Sequence, residues 1–109
     1  MDISKYDLNK VEDCVHFLVD SDEAFANAKA SAKASEYILK SRKAMSYIKQ
    51  TGSVADKEAK ALIEVSGMGY INDFKDTQYE YEILSAKRAT AELQVEIWRT
   101  KSANKRGSM

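Results

Sequence analysis

Long helices with few interruptions are the structure that this chain most readily forms, because its 109 residues include no proline and only four glycines. Proline breaks a helix interior, and glycine destabilises one by roughly 0.5–1 kcal/mol. The clearest breaks are Thr51-Gly52-Ser53 and, further along, Gly67 and Gly69. The sequence therefore predicts a helix content well above the roughly one-third of an average globular protein.

Capping signals and apolar periodicity divide the chain into helices over 9–20, 22–50, 54–66 and 70–104, followed by a basic tail at 105–109. Asn9 and Ser21 are candidate N-caps of the first two helices. Gly52 suits a left-handed C-cap, and Ser53 precedes Asp56 by three residues, as at a helix start. We expect one all-α domain of three to four helices, a long antiparallel hairpin or bundle with coiled-coil character.

The last third of the chain has the alternating spacing of four and three residues that is typical of coiled coils. Its positions are Tyr70, Phe74, Thr77, Tyr81, Leu84, Arg88, Ala91, Val95 and Trp98. A chain this small buries only a modest core, so we expect copies of it to complete that core as a homo-oligomer. The predicted oligomerisation residues are Tyr70, Phe74, Tyr81, Leu84, Ala91, Val95 and Trp98. The polar members Thr77 and Arg88 either set the register or face outward.

Two earlier helices have their own predicted packing faces. In the first, the apolar face is formed by Val11, Val15, Leu18 and Val19. In the second, it is formed by Ala30, Ala34, Tyr37, Ser41, Ala44 and Ile48. The small residues at the start of the second face would permit another helix to approach closely.

The formal net charge is zero, but the charges fall into four alternating blocks. Residues 1–25 contain seven acids and two bases, and residues 26–50 contain six bases and one acid. Residues 51–86 contain seven acids and three bases, and residues 87–109 contain six bases and two acids. Two interpretations remain open: the blocks pair with one another within or between chains, or the basic blocks form a surface for a polyanion.

The two basic blocks each place cations beside aromatic residues. Lys40, Arg42 and Lys43 lie within one helical turn, close to Tyr37 and Tyr47. The second cluster contains Arg99, Lys101, Lys105 and Arg106, beside Trp98. Proteins that bind single-stranded nucleic acid use cations along the phosphates and aromatic rings against the bases. The alternatives are a solvated basic face, core positions for Tyr37 and Trp98, and compensation of the last helix dipole.

Residues suited to catalysis are scarce. His16 is the only histidine and lies two residues from Cys14, a spacing that places the two on different helix faces and suits a shared metal poorly. We expect Cys14 to be a small core residue, and we expect no enzymatic activity, metal or cofactor. An enzyme would require a site formed between subunits. With one cysteine, no apolar run of about 20 residues and no signal-peptide character, the expected location is the cytoplasm, without membrane contact.

Several segments resemble a family of small helical phage proteins. The resemblance covers roughly residues 22–106 and is carried by residues 22–30, 36–44 and 53–59 and by Glu-Ile-Trp-Arg-Thr at 96–100, with Asn104 and Arg106 after it. Those proteins are encoded beside genes for single-strand annealing or single-strand-binding proteins. The layout is also similar to the UvsY family of T-even phage recombination mediators, whose Lys-Ala-Arg-Leu motif precedes a Ser-Gly break. Here residues 60–63 read Lys-Ala-Leu-Ile before Ser66-Gly67, without the arginine, which adds Lys60 as a DNA-contact candidate.

These resemblances imply a non-enzymatic recombination mediator or accessory protein that oligomerises and binds single-stranded DNA. Its partners would be itself, single-stranded DNA and a recombinase, annealing protein or single-strand-binding protein. The candidate nucleic-acid-binding residues are Lys40, Arg42, Lys43, Lys60, Trp98, Arg99, Lys101, Lys105 and Arg106. The alternative is an oligomeric helical adaptor or inhibitor, for example of a host defence or replication enzyme, that binds protein and no nucleic acid.

Overall fold

The computed structural model describes residues 1–107, which form four α-helices and no strand. A short 3₁₀-helix, Ile3–Lys5, precedes α1 (Val11–Asp20), α2 (Asp22–Lys49), α3 (Val54–Gly67) and α4 (Tyr70–Gly107). The predicted all-α class is confirmed. Helix α4 continues through residues 105–107 of the predicted basic tail, and residues 108–109 lie outside the described residues. None of the helices in residues 1–107 combines the length and the apolar composition needed to cross a bilayer.

The helix ends follow the local signals in the sequence, except at the starts of α1 and α2. Ser21, the candidate N-cap of α2, has the αR backbone of a C-cap of α1, and its hydroxyl accepts from Arg88. Ser53 is the N-cap of α3, and its hydroxyl accepts a hydrogen bond from the Asp56 amide. Gly52 has a φ of +113°, a backbone conformation that residues with a Cβ rarely adopt. At α1 the N-cap is Lys10 rather than Asn9, and it makes no side-chain capping bond.

The chain divides into two compact units. The terminal unit combines Met1–Ala26 with the chain from Glu82 onward, and the central unit is Asn27–Tyr81. Each unit therefore contains three α-helical segments. The terminal unit comprises α1, the first turn of α2 and the larger part of α4, whereas the central unit comprises the rest of α2, all of α3 and the start of α4.

The core of the terminal unit is formed by Cys14, Phe17, Leu84 and Ala91. Phe17 is the largest fully buried side chain, and its ring packs against Tyr6 at a centroid distance of 5.4 Å. The predicted core position of Cys14 is confirmed. The predicted face of α1 is rotated from the one observed: Cys14 and Phe17 point inward, whereas Val15 and Val19 are exposed.

Arg88 connects the three helical segments of the terminal unit. Its Nη1 donates to the Leu18 carbonyl oxygen at 2.9 Å and to the Ser21 hydroxyl at 2.6 Å. Its Nη2 donates to Asp22 Oδ1 at 2.8 Å, and the guanidinium lies 5.0 Å from the Phe25 ring centroid. The guanidinium thus satisfies groups at the end of α1 and at the start of α2. Arg88 therefore faces inward, which answers a question that the stripe in the sequence left open.

The central unit has small buried residues, Ala32, Ala61 and Val65, together with one buried hydroxyl. That hydroxyl belongs to Ser46 and donates to Glu64 Oε2 at 2.6 Å, linking α2 to α3. Gln50 Nε2 donates to the same carboxylate oxygen at 3.1 Å. Small side chains and a shared hydrogen bond let these helices lie close together.

The packing face predicted for α2 is wrong, because it points to solvent. Tyr37 is 68% exposed and Ile48 is 79% exposed, and the other four members of the face are exposed as well. The side that packs inward carries Ala32 and Ser46 instead. A close approach with a polar bond does not show in hydrophobic periodicity, which is why the pattern selected the outer side.

The stripe predicted on α4 for oligomerisation packs within the chain over most of its length. Leu84 and Ala91 are buried, and Tyr70, Phe74, Tyr81 and Val95 are partly buried, whereas Trp98 is 53% exposed. We call the positions from Tyr70 to Val95 the inner stripe. Its buried members already pack against other residues of the same chain and are not exposed to a second copy. Self-association through this stripe therefore stays a prediction.

The buried thiol gives a testable prediction. Cys14 Sγ donates to the Leu8 carbonyl oxygen at 3.3 Å, and burial raises the pKa of the thiol. Because the reactive form is the thiolate, we expect the native protein to resist alkylation by iodoacetamide at pH 8 and the urea-unfolded protein to react at the rate of a free cysteine. Rapid alkylation of the native protein, measured by mass spectrometry, would contradict the burial of Cys14.

Candidate nucleic-acid interface

The first candidate surface lies on α2 in the central unit. Lys40 and Lys43 line an open groove of about 320 Å³ with Ala44, Tyr47 and Glu58. Lys57, from the first turn of α3, places its ammonium 5.6 Å from the centroid of the Tyr47 ring. Two lysines thus line the groove with Tyr47, and a third lies over the ring of that tyrosine.

The charge of this groove is partly compensated, because Glu58 lines it beside the lysines. Lys40 forms an ion pair with Glu36 at 2.9 Å, and the hydrogen bond to this carboxylate raises the pKa of Lys40. Within residues 1–107, Lys43 has no such ion pair, and neither do Lys29, Lys33 and Lys49 on the same helix. Since Lys40 stays protonated at neutral pH, the α2 surface has an excess of positive charge.

Arg42 lies on a different side of α2 from Lys40 and Lys43. It lines a second groove of about 610 Å³ with Tyr37, Ile38, Ser41, Met45 and Tyr70. Its guanidinium is 5.5 Å from the centroid of the Tyr70 ring, a cation–π distance. The three cations of this turn therefore line two different grooves: Lys40 and Lys43 line the first, and Arg42 lines the second together with the exposed Tyr37 ring.

Lys60 already has an intrachain partner. It lies on α3, and its ammonium donates to the Thr51 carbonyl oxygen at 3.1 Å. This bond holds the turn that connects α2 to α3. A phosphate would have to compete with that bond, so Lys60 contributes less to the surface than the α2 cations do.

The second candidate surface lies near the end of α4 in the terminal unit. Trp98 and Lys101 line an open groove of about 300 Å³ with Asn9, Val11, Gln94 and Ile97. Arg99 donates to Glu96 at 3.0 Å, and both side chains are exposed. Lys105 and Arg106 are in the last turn of α4, where positive charge interacts favourably with the C-terminal end of the helix dipole. This interaction accounts for their position without a bound ligand.

Two contributors to these surfaces were not predicted from the sequence as binding residues. Lys57 joins the Lys40 groove because the α2–α3 turn brings the first turn of α3 beside Tyr47. Tyr70 contributes its ring to the Arg42 groove. Neither shows in linear spacing, because each comes from a different helix than α2.

Candidate metal ligands do not converge in the described part of the chain. Among residues 1–107, no three His, Cys, Asp or Glu side chains come together as metal ligands would. His16 is exposed on α1, with its Nε2 at 3.9 Å from a Glu12 oxygen. The candidate binding features of the described surface are therefore cations that lie beside aromatic rings.

Comparison of the chain with known protein families, curated proteins and solved structures found no match.

Proposed function

We propose that the protein is a non-enzymatic binding protein that holds single-stranded DNA on the basic side of α2, in the manner of a phage-type recombination mediator. The observation that carries the proposal is the groove that Lys40 and Lys43 line with Tyr47, whose ring also has the Lys57 ammonium over it. Phosphates would contact the ammonium groups of this groove. Tyr37, 68% exposed beside Arg42, offers a ring face on which a base would stack.

The open form of both grooves suits a flexible strand better than a small molecule. A small-molecule site encloses most of its ligand, whereas single-strand-binding surfaces follow the backbone and stack bases. Stacking on an aromatic ring contributes roughly 1–3 kcal/mol per base and depends little on sequence. Recognition of this kind requires no catalytic group, and a recombinase or annealing protein would act on the strand so presented.

The α2 cations provide the first test. We expect the triple variant Lys40→Ala, Arg42→Ala and Lys43→Ala to bind a fluorescent oligothymidine at least about tenfold more weakly than the unaltered chain, because three phosphate contacts are lost. The measurement is fluorescence anisotropy at about 50 mM salt, where phosphate contacts are strong. Circular dichroism of the same samples reports whether the helices are retained.

A matched triple variant controls for the loss of net charge. Lys5→Ala, Lys10→Ala and Lys75→Ala remove the same three charges from exposed positions outside α2. We expect this variant to bind within about twofold of the unaltered chain, since distant exposed charges are screened. Equal affinity of the α2 variant and the control would contradict the placement of DNA on α2.

A protein-binding adaptor is the second candidate, and one observation favours it. The outer face of α2 has exposed Tyr37 and Ile48 at coiled-coil spacing, with cations on both sides. An amphipathic helix with acidic flanks fits such a face. Absence of oligonucleotide binding at low salt by the correctly folded protein would favour the adaptor over the DNA-binding function.

A further inference from the structure

Helix α4 has a second apolar stripe that its own chain leaves exposed. Leu93 follows Leu84 by nine residues, or two and a half helical turns, so the two leucines lie on opposite sides of the helix. Leu84 is buried, whereas Leu93 is 60% exposed. Ile83 and Ile97 share the side of Leu93 and are also exposed.

This outer stripe follows a heptad pattern. We define it as Ile83, Ala86, Thr90, Leu93 and Ile97, with spacings of three, four, three and four residues. In heptad notation, Ile83, Thr90 and Ile97 occupy a positions, and Ala86 and Leu93 occupy d positions. β-Branched residues at a with leucine at d favour two-stranded parallel coiled coils.

The polar member of the outer stripe has its hydroxyl satisfied within α4. Thr90 Oγ1 donates to the Ala86 carbonyl oxygen at 3.1 Å. A hydroxyl with such a partner can be covered by a second helix without a large desolvation cost. The stripe is therefore suited to burial along its whole length.

The charges beside the outer stripe favour a second copy of α4 in one orientation. Glu82 and Glu96 occupy g positions, and Lys87 and Lys101 occupy e positions. In a parallel coiled coil, a g residue meets the e residue five positions later on the other helix. Two copies of α4 would therefore pair Glu82 with Lys87 and Glu96 with Lys101, once on each side of the interface.

An antiparallel arrangement of the same stripes forms neither of these pairs, because g positions then face g positions and e positions face e positions. In the register that aligns Thr90 with Ala86 of the other copy, Glu82 meets Glu96 and Lys87 meets its own equivalent; in the register that aligns Thr90 with Leu93, Glu96 meets Ala89 and Lys87 meets Gln94. The parallel arrangement is therefore the one in which these glutamates and lysines attract each other, with Ala89 and Gln94 as a neutral pair between them. The exposed intrachain pair of Glu96 and Arg99 is weak enough to be exchanged.

We propose that the occupant of the outer stripe is a second copy of this chain, bound in parallel as a two-stranded coiled coil. The inner stripe then serves the core of the monomer, and the outer stripe serves assembly. Parallel pairing would also place the two copies of Lys105 and Arg106 at the same end of the coiled coil. The inference does not depend on the proposed DNA binding and is tested without DNA.

Mass in solution provides the main test. At about 100 µM, light scattering should give about 25 kDa, twice the 12.3 kDa of one chain. We expect Leu93→Asp to give the mass of one chain with unchanged helix content, because the altered side chain is exposed in the monomer. The matched control is Ile63→Asp, a similar change at an exposed position of α3, which should keep the dimer mass. A single-chain mass for the unaltered protein, or a dimer mass for Leu93→Asp, would overturn the inference.

Charge reversal tests the pairing itself. Lys101→Glu should weaken the dimer on the order of tenfold, because each interface then has two pairs of glutamates. Adding Glu96→Lys should restore most of the affinity with the pairs reversed. A double variant as weak as the single one would show that these residues do not meet across the interface.

A disulfide test fixes the orientation. Thr100 occupies the next d position, where parallel helices place equivalent residues within disulfide reach. Thr100→Cys should form a covalent dimer under mild oxidation, while the buried Cys14 stays unmodified. In an antiparallel dimer the two introduced cysteines would be tens of ångströms apart, so a lack of cross-linking in a sample of dimer mass would contradict the parallel orientation.

Discussion

The substitution Leu84→Asp is expected to lower the free energy of unfolding by at least about 4 kcal/mol, because it removes a buried leucine and leaves a carboxylate without a partner. Leu84 is only 8% exposed and packs within the terminal unit. Small domains are stable by about 5–15 kcal/mol, so this cost is a large part of the total. In urea unfolding followed by circular dichroism, the urea concentration at the midpoint should fall to near zero, or the variant should show no folded baseline.

The informative control is Leu93→Asp, which makes the same chemical change on the opposite side of the same helix. Since Leu93 is exposed, this variant should keep the stability of the monomer within about 0.5 kcal/mol when both are measured at a concentration too low for pairing. Equal stability of Leu84→Asp and Leu93→Asp would contradict the assignment of Leu84 to the buried side of α4.

The substitution Arg88→Met is expected to lower the melting temperature by roughly 10–20 °C, corresponding to a loss of about 2–3 kcal/mol. Methionine keeps part of the aliphatic packing but leaves the Leu18 carbonyl and the buried Ser21 hydroxyl without their donor. The ion pair with Asp22 adds little, because the Asp22 side chain is 70% exposed. Thermal unfolding by calorimetry measures the effect.

Two companion variants separate this role from a general effect of arginine. Arg99→Met removes an arginine that donates a hydrogen bond to the exposed Glu96, and it should change the melting temperature by no more than about 2 °C. Arg88→Lys should lie between Arg88→Met and the unaltered protein, because an ammonium lacks the fork that reaches the Ser21 and Asp22 oxygens together. A melting temperature of Arg88→Met close to that of Arg99→Met would contradict the connecting role of Arg88.

Helix positions were predicted well because the signals that set them are local. The absence of proline and the breaks at Gly52 and Gly69 are read directly from the sequence, and the observed helices begin and end within three residues of the predicted ones. The N-cap at Ser53 follows from one side chain and one amide. Such features depend on residues only a few positions apart.

The faces that pack were predicted less well because they depend on residues far apart in the sequence. Helix α4 is apolar on two sides, and periodicity does not tell which side faces its own chain. Helix α2 packs through Ala32 and Ser46, and Ser46 acquires its partner only when Glu64 comes alongside. Arg88 interrupts an apolar stripe, and its inward position requires acceptors contributed by α1 and α2.

The candidate site shows the same division. The cations at 40, 42 and 43 were read from their spacing, but spacing suggested one cluster and the structure separates them into two grooves. Lys57 and Tyr70 join those grooves from α3 and α4. The distribution of charge within the α2 surface is therefore a property of three helices rather than of one sequence motif.

The central claim, that the α2 surface binds single-stranded DNA through its cations, is tested most directly by the affinity of the unaltered protein for an oligothymidine as a function of salt. With three to five phosphate contacts, we expect the affinity to fall roughly 20- to 100-fold between about 50 and 200 mM salt. An affinity that does not change over this range, or no binding at 50 mM salt, would contradict the claim and leave the basic surface of α2 as a site for an acidic protein helix.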